Sequence, residues 1–155
     1  MNNETDKKYM TRALELAKGA AEKGEVPVGC VIVKDGEIIS EAANSTVADR
    51  NPLAHAEMKA LEAAIAKRGW RLTDCDMYVT LEPCSMCAGA IVHSRIRRLV
   101  IAAKDPKAGA CGSVLNITEN DALNHRPAAE FGLLEDESSA LLKDFFRKLR
   151  DSKKQ

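Results

Sequence analysis

The chain has 155 residues, a length that suits one domain and is too short for two comfortable ones. Hydrophobic residues make up 45% and charged residues 30%, an ordinary globular composition that excludes a disordered chain, a fibre and a bundle of membrane helices. The 23 basic residues equal the 23 acidic ones, so the formal net charge is zero and nucleic acid would have to meet a local basic patch. We expect a single domain over residues 1–155.

The N-terminus and the cysteines favour a cytoplasmic protein. Residues 1–8 are polar and charged and lack the apolar stretch of a secretory signal, and no run approaches the roughly 18 apolar residues of a membrane span. Five cysteines, an odd number, are typical of a reducing compartment, where closely spaced cysteines are more often metal ligands or redox groups than disulfides. We therefore expect a cytoplasmic location and no contact with a membrane.

Hydrophobic spacing predicts the elements of the first third of the chain. Apolar residues at helical intervals predict a helix over 6–23, and the β-branched run over 26–33 predicts a buried strand. Asp35-Gly36 is a strong hairpin signal, so the strand predicted over 37–40 should be antiparallel to the one before it. The polar segment 44–52 is predicted to be a loop.

The rest of the chain alternates between helix and strand. In order, the pattern predicts a helix over 55–67, a strand over 77–81, a helix over 84–93 with Pro83 at its start, a strand over 98–103, a loop over 105–117, a strand over 128–133 and a helix over 137–150. This order predicts an α/β fold with a mixed sheet. Ligands of open α/β sheets bind beyond the carboxyl ends of strands, so chemistry is expected at the two helix starts near His55 and Pro83.

Two short motifs fall at these helix starts, His55-Ala56-Glu57 and Pro83-Cys84-Ser85-Met86-Cys87. A C-x-x-C pair at a helix start can hold one metal ion, because the helix dipole and the unpaired N–H groups favour thiolates. Two cysteines and one histidine are the three protein ligands of a catalytic zinc, whose fourth position stays open for water. No second C-x-x-C offers the fourth protein ligand that a structural zinc needs. We interpret His55, Cys84 and Cys87 as ligands of one Zn²⁺.

Glu57 lies two residues after His55, about 200° further round a helix, so the two side chains would not share a helix face. At the first turn, however, a metal lying over the helix end can be approached from both sides. Glu57 would then reach a zinc-bound water, whose pKa zinc lowers toward ~7. We expect Glu57 to be the catalytic residue, acting first as general base and then as general acid.

Each motif alone has an ordinary explanation. H-x-E occurs by chance in many proteins, and a lone C-x-x-C is also typical of a thioredoxin-like redox pair. Together they form H-x-E…P-C-x-x-C, the known signature of zinc deaminases. A rival from another class is a zinc-stabilised RNA-binding module without catalysis, but such a module has no use for the Glu57 carboxylate.

The chain resembles the bacterial tRNA-specific adenosine deaminases, a family of the cytidine-deaminase-like superfamily. The two zinc motifs mark only the superfamily, whereas an Asp-Pro-Lys loop, an Asn-His-Arg segment and a Phe-Phe-Arg tail favour the tRNA-editing branch. The resemblance covers nearly the whole chain, in order and with the spacing of the family. It rests on residues 24–29, 54–57, 80–90, 93–96, 105–107, 112–113, 123–126 and 141–150.

The resemblance implies a three-layer α-β-α fold with a mixed five-stranded sheet, one Zn²⁺ per subunit, and hydrolytic deamination of adenosine to inosine at the wobble position of a tRNA anticodon. A zinc-activated hydroxide would attack, and Glu57 would pass a proton to adenine N1 and then to the departing ammonia. The target base must be flipped out of its stack, which costs less in a single-stranded loop. The implied partners are the tRNA anticodon stem-loop and a second copy in a homodimer, with helix 84–91 as the expected interface.

The resemblance also assigns substrate-binding residues. Asn44 would hydrogen-bond the flipped base, Asp105 would lie near the ribose and backbone of the anticodon loop, and the pocket would be lined by Val28, Ala56 and Pro83 with the adjoining Cys84 backbone. The last helix has an apolar stripe, which by itself indicates core packing, and a basic cluster of Lys143, Arg147, Lys148, Arg150, Lys153 and Lys154. Within it we expect Phe145 to stack on a base and Arg147 to contact the RNA.

A deaminase of a free nucleobase or nucleoside, of the cytosine, guanine or cytidine type, is the alternative function. It would share the three zinc ligands and the glutamate. An assay that compares anticodon stem-loop RNA with free bases and nucleosides separates the two.

Overall fold

The computed structural model describes residues 3–153. That part of the chain forms α1 (Asn3–Glu22), β1 (Gly29–Lys34), β2 (Glu37–Ala43), α2 (Ala56–Arg68), β3 (Asp76–Leu81), α3 (Ser85–His93), β4 (Arg98–Ala103), β5 (Ala128–Phe131) and α4 (Glu135–Lys153). The predicted order of helices and strands is confirmed. None of the helices within residues 3–153 has the length and apolar character needed to cross a bilayer.

The five strands form one mixed sheet in the order β2-β1-β3-β4-β5. Strand β1 is antiparallel to both of its neighbours, β2 and β3, whereas β3, β4 and β5 are parallel. Helices α2 and α3 pack on one face of the sheet, and α1 and α4 pack on the other. The fold is therefore the three-layer α/β architecture with a mixed five-stranded sheet that the sequence predicted.

The two faces of the sheet arise from alternation along the buried strands. In β1, Cys30 and Ile32 join the core under α2 and α3, while Val31 and Val33 join the core under α1. Successive side chains of a strand point to opposite faces, and a strand covered on both faces therefore needs an unbroken apolar run. The continuous hydrophobic stretch in the sequence reflects this double coverage.

The predicted strand bounds were wrong at several ends. Val26 to Val28 precede β1, because Pro27 has no N–H for a strand ladder and the N–H of Val28 donates to the carbonyl of Val26 at 2.9 Å. Strand β2 continues to Ala43, three residues beyond its predicted end, and β5 stops at Phe131. The segment before β1 is thus a turn beside the sheet.

One edge of the sheet collects the ends of four strands. Because Gly29 pairs with Ala43 and Leu81 pairs with Ala103, β1 begins at this edge and β2, β3 and β4 end there. The residues that follow these strands come from widely separated parts of the chain. The fold therefore brings three connecting segments together at the carboxyl ends of strands, where ligands of such sheets bind.

A buried ionic network ties α1 to the parallel half of the sheet. Arg98 in β4 donates two hydrogen bonds to the carboxylate of Asp6, at 2.9 and 2.7 Å, and bonds Glu130 of β5 as well. The hydroxyl of Tyr78 donates to Asp6 at 2.5 Å. The Arg98 hydrogen bonds are the largest influence on the pKa of Asp6 and hold it below its ordinary value despite burial. The carboxylate is therefore charged and paired in the folded protein.

Asp6→Ala should lower the free energy of unfolding by about 3–5 kcal/mol, the usual cost of removing one partner from a buried ion pair. Arg12→Ala is the matched control, because Arg12 also lies on α1 but makes exposed ion pairs with Glu15 and Glu41, each worth at most about 1 kcal/mol. Urea denaturation measures both variants. Equal losses for the two would contradict a special role for the buried network.

The same carboxylate makes stability depend on pH. Since the folded pKa of Asp6 lies below its ordinary value of 3.8, its stabilising contribution is complete above that value and is lost as the pH falls through the folded pKa. The difference in free energy of unfolding between wild type and Asp6→Ala should be constant from about pH 5 to 7 and shrink below about pH 4. Denaturation curves over this range check it, and a difference that grows in acid would reject it.

Candidate active site

Two helices begin at the sheet edge where β2, β3 and β4 end. His55 is the N-cap residue of α2 and Cys84 is the N-cap residue of α3; both have extended backbone, and neither side chain caps its own helix. The helices predicted over 55–67 and 84–93 each begin one residue later, because His55 and Cys84 have extended backbone. The side chains of His55 and Cys84 are therefore available to a shared site between the helix ends.

The three predicted zinc ligands meet in that space. The Nδ1 atom of His55 lies 3.6 Å from Sγ of Cys84 and 3.4 Å from Sγ of Cys87. In a tetrahedral site with Zn–N of about 2.05 Å and Zn–S of about 2.3 Å, nitrogen and sulfur ligands lie about 3.5 Å apart. The donor set and its spacing therefore fit one zinc ion. Within residues 3–153, these are the three side chains whose ligand atoms lie close enough together to hold one metal ion.

The start of α3 favours a thiolate at Cys84. A hydrogen bond from the Cys87 thiol lowers the pKa of Cys84 to about 5 despite burial, with help from the backbone N–H groups of Cys87 and Met86 and from the charge of His55. The same contact and burial raise the pKa of Cys87. Thiolates are the form of cysteine that ligates zinc, so the helix start prepares the first of the two sulfur ligands.

Glu57 lies in the first turn of α2 and is only 4% exposed. Burial raises the pKa of its carboxyl group to about 7, near the value at which a group can both accept and release a proton at neutral pH. Glu57 and His55 line the same cavity of about 250 Å³. Within a helix, two residues that are two positions apart point about 200° away from each other. His55 precedes the helix and has extended backbone, so this separation does not apply to His55 and Glu57.

The same cavity contains most of the substrate-binding residues that the resemblance implied. Val28, Asn44, Ala56 and Asp105 line it, whereas Pro83 is buried beside it and is not among the lining residues. These four lining residues come from four separate segments of the chain, and the fold brings them together at one edge of the sheet.

Asn44 is the residue of the cavity whose hydrogen bonding is incomplete. Its Nδ2 donates to the carbonyl of Val26 at 3.3 Å, but its Oδ1 is buried and has no hydrogen-bond partner in the structure. Buried acceptors without partners are rare and costly. The free Oδ1 therefore points to a ligand that donates a hydrogen bond at this position.

A second, larger cavity of about 750 Å³ adjoins the first. We call it the α4 groove; it lies between α4 and the segment after β4, and it shares Val26, Leu81 and Asp105 with the smaller cavity. Its basic lining residues are Lys104, Lys107, Lys143, Arg150 and Lys153. The groove therefore offers a positively charged path that leads to the zinc ligands.

The structure distinguishes the two sides of α4. Phe146 lines the α4 groove, whereas Phe145 does not and is half-buried. Arg147 also lies outside the groove and pairs with Asp144 at 2.6 Å. Lys154, the last member of the predicted basic cluster, lies outside the described residues. The RNA contacts of Phe145 and Arg147 remain predictions, while the neighbouring Phe146 and Arg150 face the cavity.

Two buried carboxylates next to the site were given no role by the sequence pattern. Glu25 is 2% exposed and accepts hydrogen bonds from the backbone N–H groups of Val47 and Ala48. Glu82, equally buried, lines the small cavity and bonds the loop that follows β4. The signal in the sequence is an acidic residue directly after an apolar run or before a buried strand, where a charge must have partners.

Comparison with protein families identifies the zinc motif region. Residues 3–103 match the family model described as the cytidine and deoxycytidylate deaminase zinc-binding region. The match ends before the loop that carries Asp105 and before α4. The general deaminase pattern thus covers the ligands and Glu57, and the α4 groove is built largely from later residues.

Curated relatives match over nearly the whole chain. The tRNA-specific adenosine deaminase of Bacillus subtilis is 46% identical over 150 residues, covering 96% of this chain and 93% of the relative. The protein of the same name from Aquifex aeolicus is 50% identical over 145 residues, covering 93% of this chain and 95% of the relative. The similarity therefore includes the segments beyond residue 103.

Solved structures agree with the sequence relatives. A structure from work on A-to-I editing by tRNA:A34 deaminases superposes with a TM-score of 0.83 at 43% identity, covering 86% of this chain and 98% of the other. A guanine deaminase from Nitrosomonas europaea has a TM-score of 0.78 at 27% identity, covering 90% and 83%. With its ligand set in place, the chain belongs to the zinc-dependent deaminases, and within them to the tRNA-specific adenosine deaminase family.

Proposed function

We propose that this protein converts adenosine to inosine by hydrolysis at the wobble position of a tRNA anticodon. The observation that carries the proposal is the His55, Cys84 and Cys87 set at zinc-ligand distances beside the buried Glu57, in a chain 46–50% identical to tRNA-specific adenosine deaminases. The reaction is hydrolytic: water adds at C6 of the adenine ring, ammonia leaves, and inosine remains.

The residues of this chain divide the work as follows. His55, Cys84 and Cys87 hold the zinc, which when bound supplies the Lewis acidity that makes a hydroxide available near neutral pH. Glu57 takes the proton released from water and delivers it to N1 of the adenine. It then takes the proton of the new hydroxyl group on C6 and passes it to the amino group, which leaves as ammonia while the C6 carbonyl of inosine forms. Its burial and its pKa of about 7 support both halves of this proton transfer.

The small cavity binds one flipped base. Its volume of about 250 Å³ lies below the roughly 300–1,000 Å³ of sites for drug-sized ligands, so a single base fits and a stacked pair does not. The unpaired Oδ1 of Asn44 accepts a hydrogen bond from the base, and the backbone at Val28 and Ala56 lines the walls. Asp105, which lines both cavities, contacts the ribose and backbone next to that base.

The α4 groove receives the rest of the RNA loop. Backbone phosphates supply most of the affinity of RNA-binding surfaces, and five basic side chains line this groove although the protein as a whole is neutral. Phe146, which is 40% exposed within it, offers a ring on which an unpaired base can stack. Access through this groove favours an RNA substrate over a free base.

We also propose that the protein works as a homodimer in the cytoplasm, as one domain. The outward side of α3 is the proposed interface, because Met86 and Gly89 are only half-buried there. Ala88 and Ile91 belong to the core under the sheet, so they cannot contribute to a contact between subunits.

The test of the function is an incubation with anticodon stem-loop RNA followed by reverse transcription and sequencing. Wobble adenosine should be read as guanosine, and free cytosine, guanine and adenosine should release little ammonia in parallel reactions. The likeness to a guanine deaminase makes free guanine the informative comparison. Release of ammonia from free guanine with unchanged RNA would establish the alternative, a free-base deaminase.

Glu57→Ala should lower inosine formation at least about 100-fold, because general acid–base groups contribute that much or more. The variant should keep its zinc and its fold, since Glu57 is outside the ligand set. Metal analysis and circular dichroism are the controls, and His55→Ala should lose zinc in the same measurement. Inosine formation at the wild-type rate by Glu57→Ala would contradict the proton-transfer role.

Arg150→Ala and Arg147→Ala separate the two sides of α4. Arg150 lines the α4 groove, while Arg147 pairs with Asp144 outside it. Removing one phosphate contact should reduce the slope of log affinity against log salt by about 0.7, and we expect this for Arg150→Ala alone. Fluorescence anisotropy with stem-loop RNA measures the slope. An effect of Arg147→Ala without one of Arg150→Ala would place the RNA on the other side of the helix.

A further inference from the structure

Glu82 makes the densest set of hydrogen bonds at the edge of the active site. It follows β3 directly, is 2% exposed, and both of its carboxylate oxygens accept bonds from the loop after β4. Oε1 accepts from the N–H of Asp105 at 3.1 Å and from the hydroxyl of Ser113 at 2.5 Å. Oε2 accepts from the N–H groups of Cys111 and Ser113 at 2.9 and 3.1 Å. One side chain thus holds both ends of the segment 105–113.

That segment is irregular, and it places Ala110 and Cys111 in the hydrophobic core. Between β4 and β5 the chain has no regular helix or strand in the described residues, only an isolated bridge between Cys111 and Asn116. Residues 106–108 and 112–116 are exposed. The N–H of Ala110 donates to the carbonyl of Pro83 at 2.8 Å, next to Glu82 in the chain. The hydrogen bonds that join the loop to the zinc-ligand segment are therefore made by Glu82 and its neighbour, in addition to the apolar contacts of Ala110 and Cys111.

Glycine at position 109 allows the carboxylate to approach. A Cβ atom there would collide with the Glu82 carboxyl group and with the carbonyl oxygen of Asp105. The Asp105 carboxylate is ordered within the same loop, because its Oδ1 accepts the N–H groups of Lys107 and Ala108 at 3.0 and 3.2 Å. Hydrogen bonds within the loop thus orient the Asp105 side chain, and Glu82 fixes the position of the loop.

A carboxylate suits this position and an amide does not. All four partners of Glu82 are donors, two for each oxygen, and a glutamine would present an NH₂ group to two of them. Each oxygen is within 3.1 Å of two donors, so both oxygens must be free to accept. The group is held as an acceptor on both oxygens.

We propose that Glu82 is a positioning residue that fixes the Asp105 loop at the mouth of the catalytic cavity and so sets the affinity for the RNA substrate. The inference rests on the proposed function, in which Asp105 contacts the RNA next to the flipped base. Glu82 borders the small cavity but is outside the group of zinc ligands, and both of its oxygens are engaged by the loop. Its effect should therefore fall on substrate binding and leave the chemical step and the zinc in place.

Hydrogen–deuterium exchange tests the attachment without any activity. In Glu82→Gln, peptides over residues 104–114 should exchange about ten- to a hundredfold faster, as the loss of charge-assisted hydrogen bonds predicts. Glu25→Gln is the matched control, because the Glu25 carboxylate is equally buried and accepts hydrogen bonds from the backbone N–H groups of Val47 and Ala48, in the segment after β2. Each variant should speed exchange in its own loop, and unchanged exchange at 104–114 in Glu82→Gln would overturn the proposal.

Kinetics with stem-loop RNA test the consequence. Glu82→Gln should raise KM at least about tenfold with kcat within about twofold and with one zinc per chain retained. A fall in kcat at unchanged KM, or loss of zinc, would show that Glu82 acts on the metal segment and would overturn the proposal. If wild type fails to deaminate RNA, the proposed function fails, while the exchange experiment still decides whether Glu82 holds the loop.

Gly109→Ala provides a second route that leaves Glu82 itself unchanged. The added Cβ should displace the loop from the carboxylate and reproduce both the faster exchange and the higher KM. Ser113→Ala removes one of the four donors and keeps the three backbone bonds, so it should have a smaller effect in the same direction. If Gly109→Ala keeps wild-type exchange and KM, Glu82 does not act through the loop.

Discussion

Polar groups that are shielded from water at one edge of the sheet impose the main constraint on this structure. Two sulfurs, one imidazole nitrogen and a carboxyl group share a space closed by the starts of α2 and α3. Burying such groups is costly unless each has a partner. Helix starts supply unpaired N–H groups and a favourable dipole, so they are the part of an α/β fold that best tolerates this concentration of anionic ligands.

Two carboxylates outside the metal site extend this arrangement to the surrounding loops. Glu25 bonds the segment that follows β2, and Glu82 bonds the segment that follows β4. Both segments border the small cavity, and neither forms a regular helix or strand. Buried charge with backbone donors gives irregular loops the fixed geometry that a base-binding cavity requires.

The division between the small cavity and the α4 groove relates the fold to the substrate class. The small cavity has a volume of about 250 Å³, the size proposed above for one base, and the basic groove beside it is the proposed site for the RNA chain to which that base belongs. The general deaminase region ends at residue 103, before the Asp105 loop and α4. The zinc ligands and Glu57 therefore lie in the shared part of the fold, whereas most residues of the α4 groove, the surface that we propose for RNA, come after β4.

Much of the fold followed from local periodicity, because alternating and helical hydrophobic patterns depend on neighbours in the sequence. The order of elements and the mixed sheet were predicted in this way. The element ends were less well predicted: Val26 and Val28 have strand-forming side chains, yet the turn at Pro27 keeps them outside β1. The backbone hydrogen bond between Val28 and Val26 cannot be predicted from the hydrophobicity of their side chains.

The sequence by itself indicated the zinc-ligand types and a carboxyl group beside them, because a histidine and a C-x-x-C pair at helix starts are recognisable from local residue types and spacing. Only the tertiary structure decided that Asn44 keeps an unpaired oxygen, that Phe146 and not Phe145 faces the groove, and that Glu82 holds a loop more than twenty residues away. These features arise from contacts between segments that are distant along the chain. The energies of these contacts depend on how deeply the groups are buried and on how the hydrogen bonds are oriented, and a local pattern of residue types does not determine either.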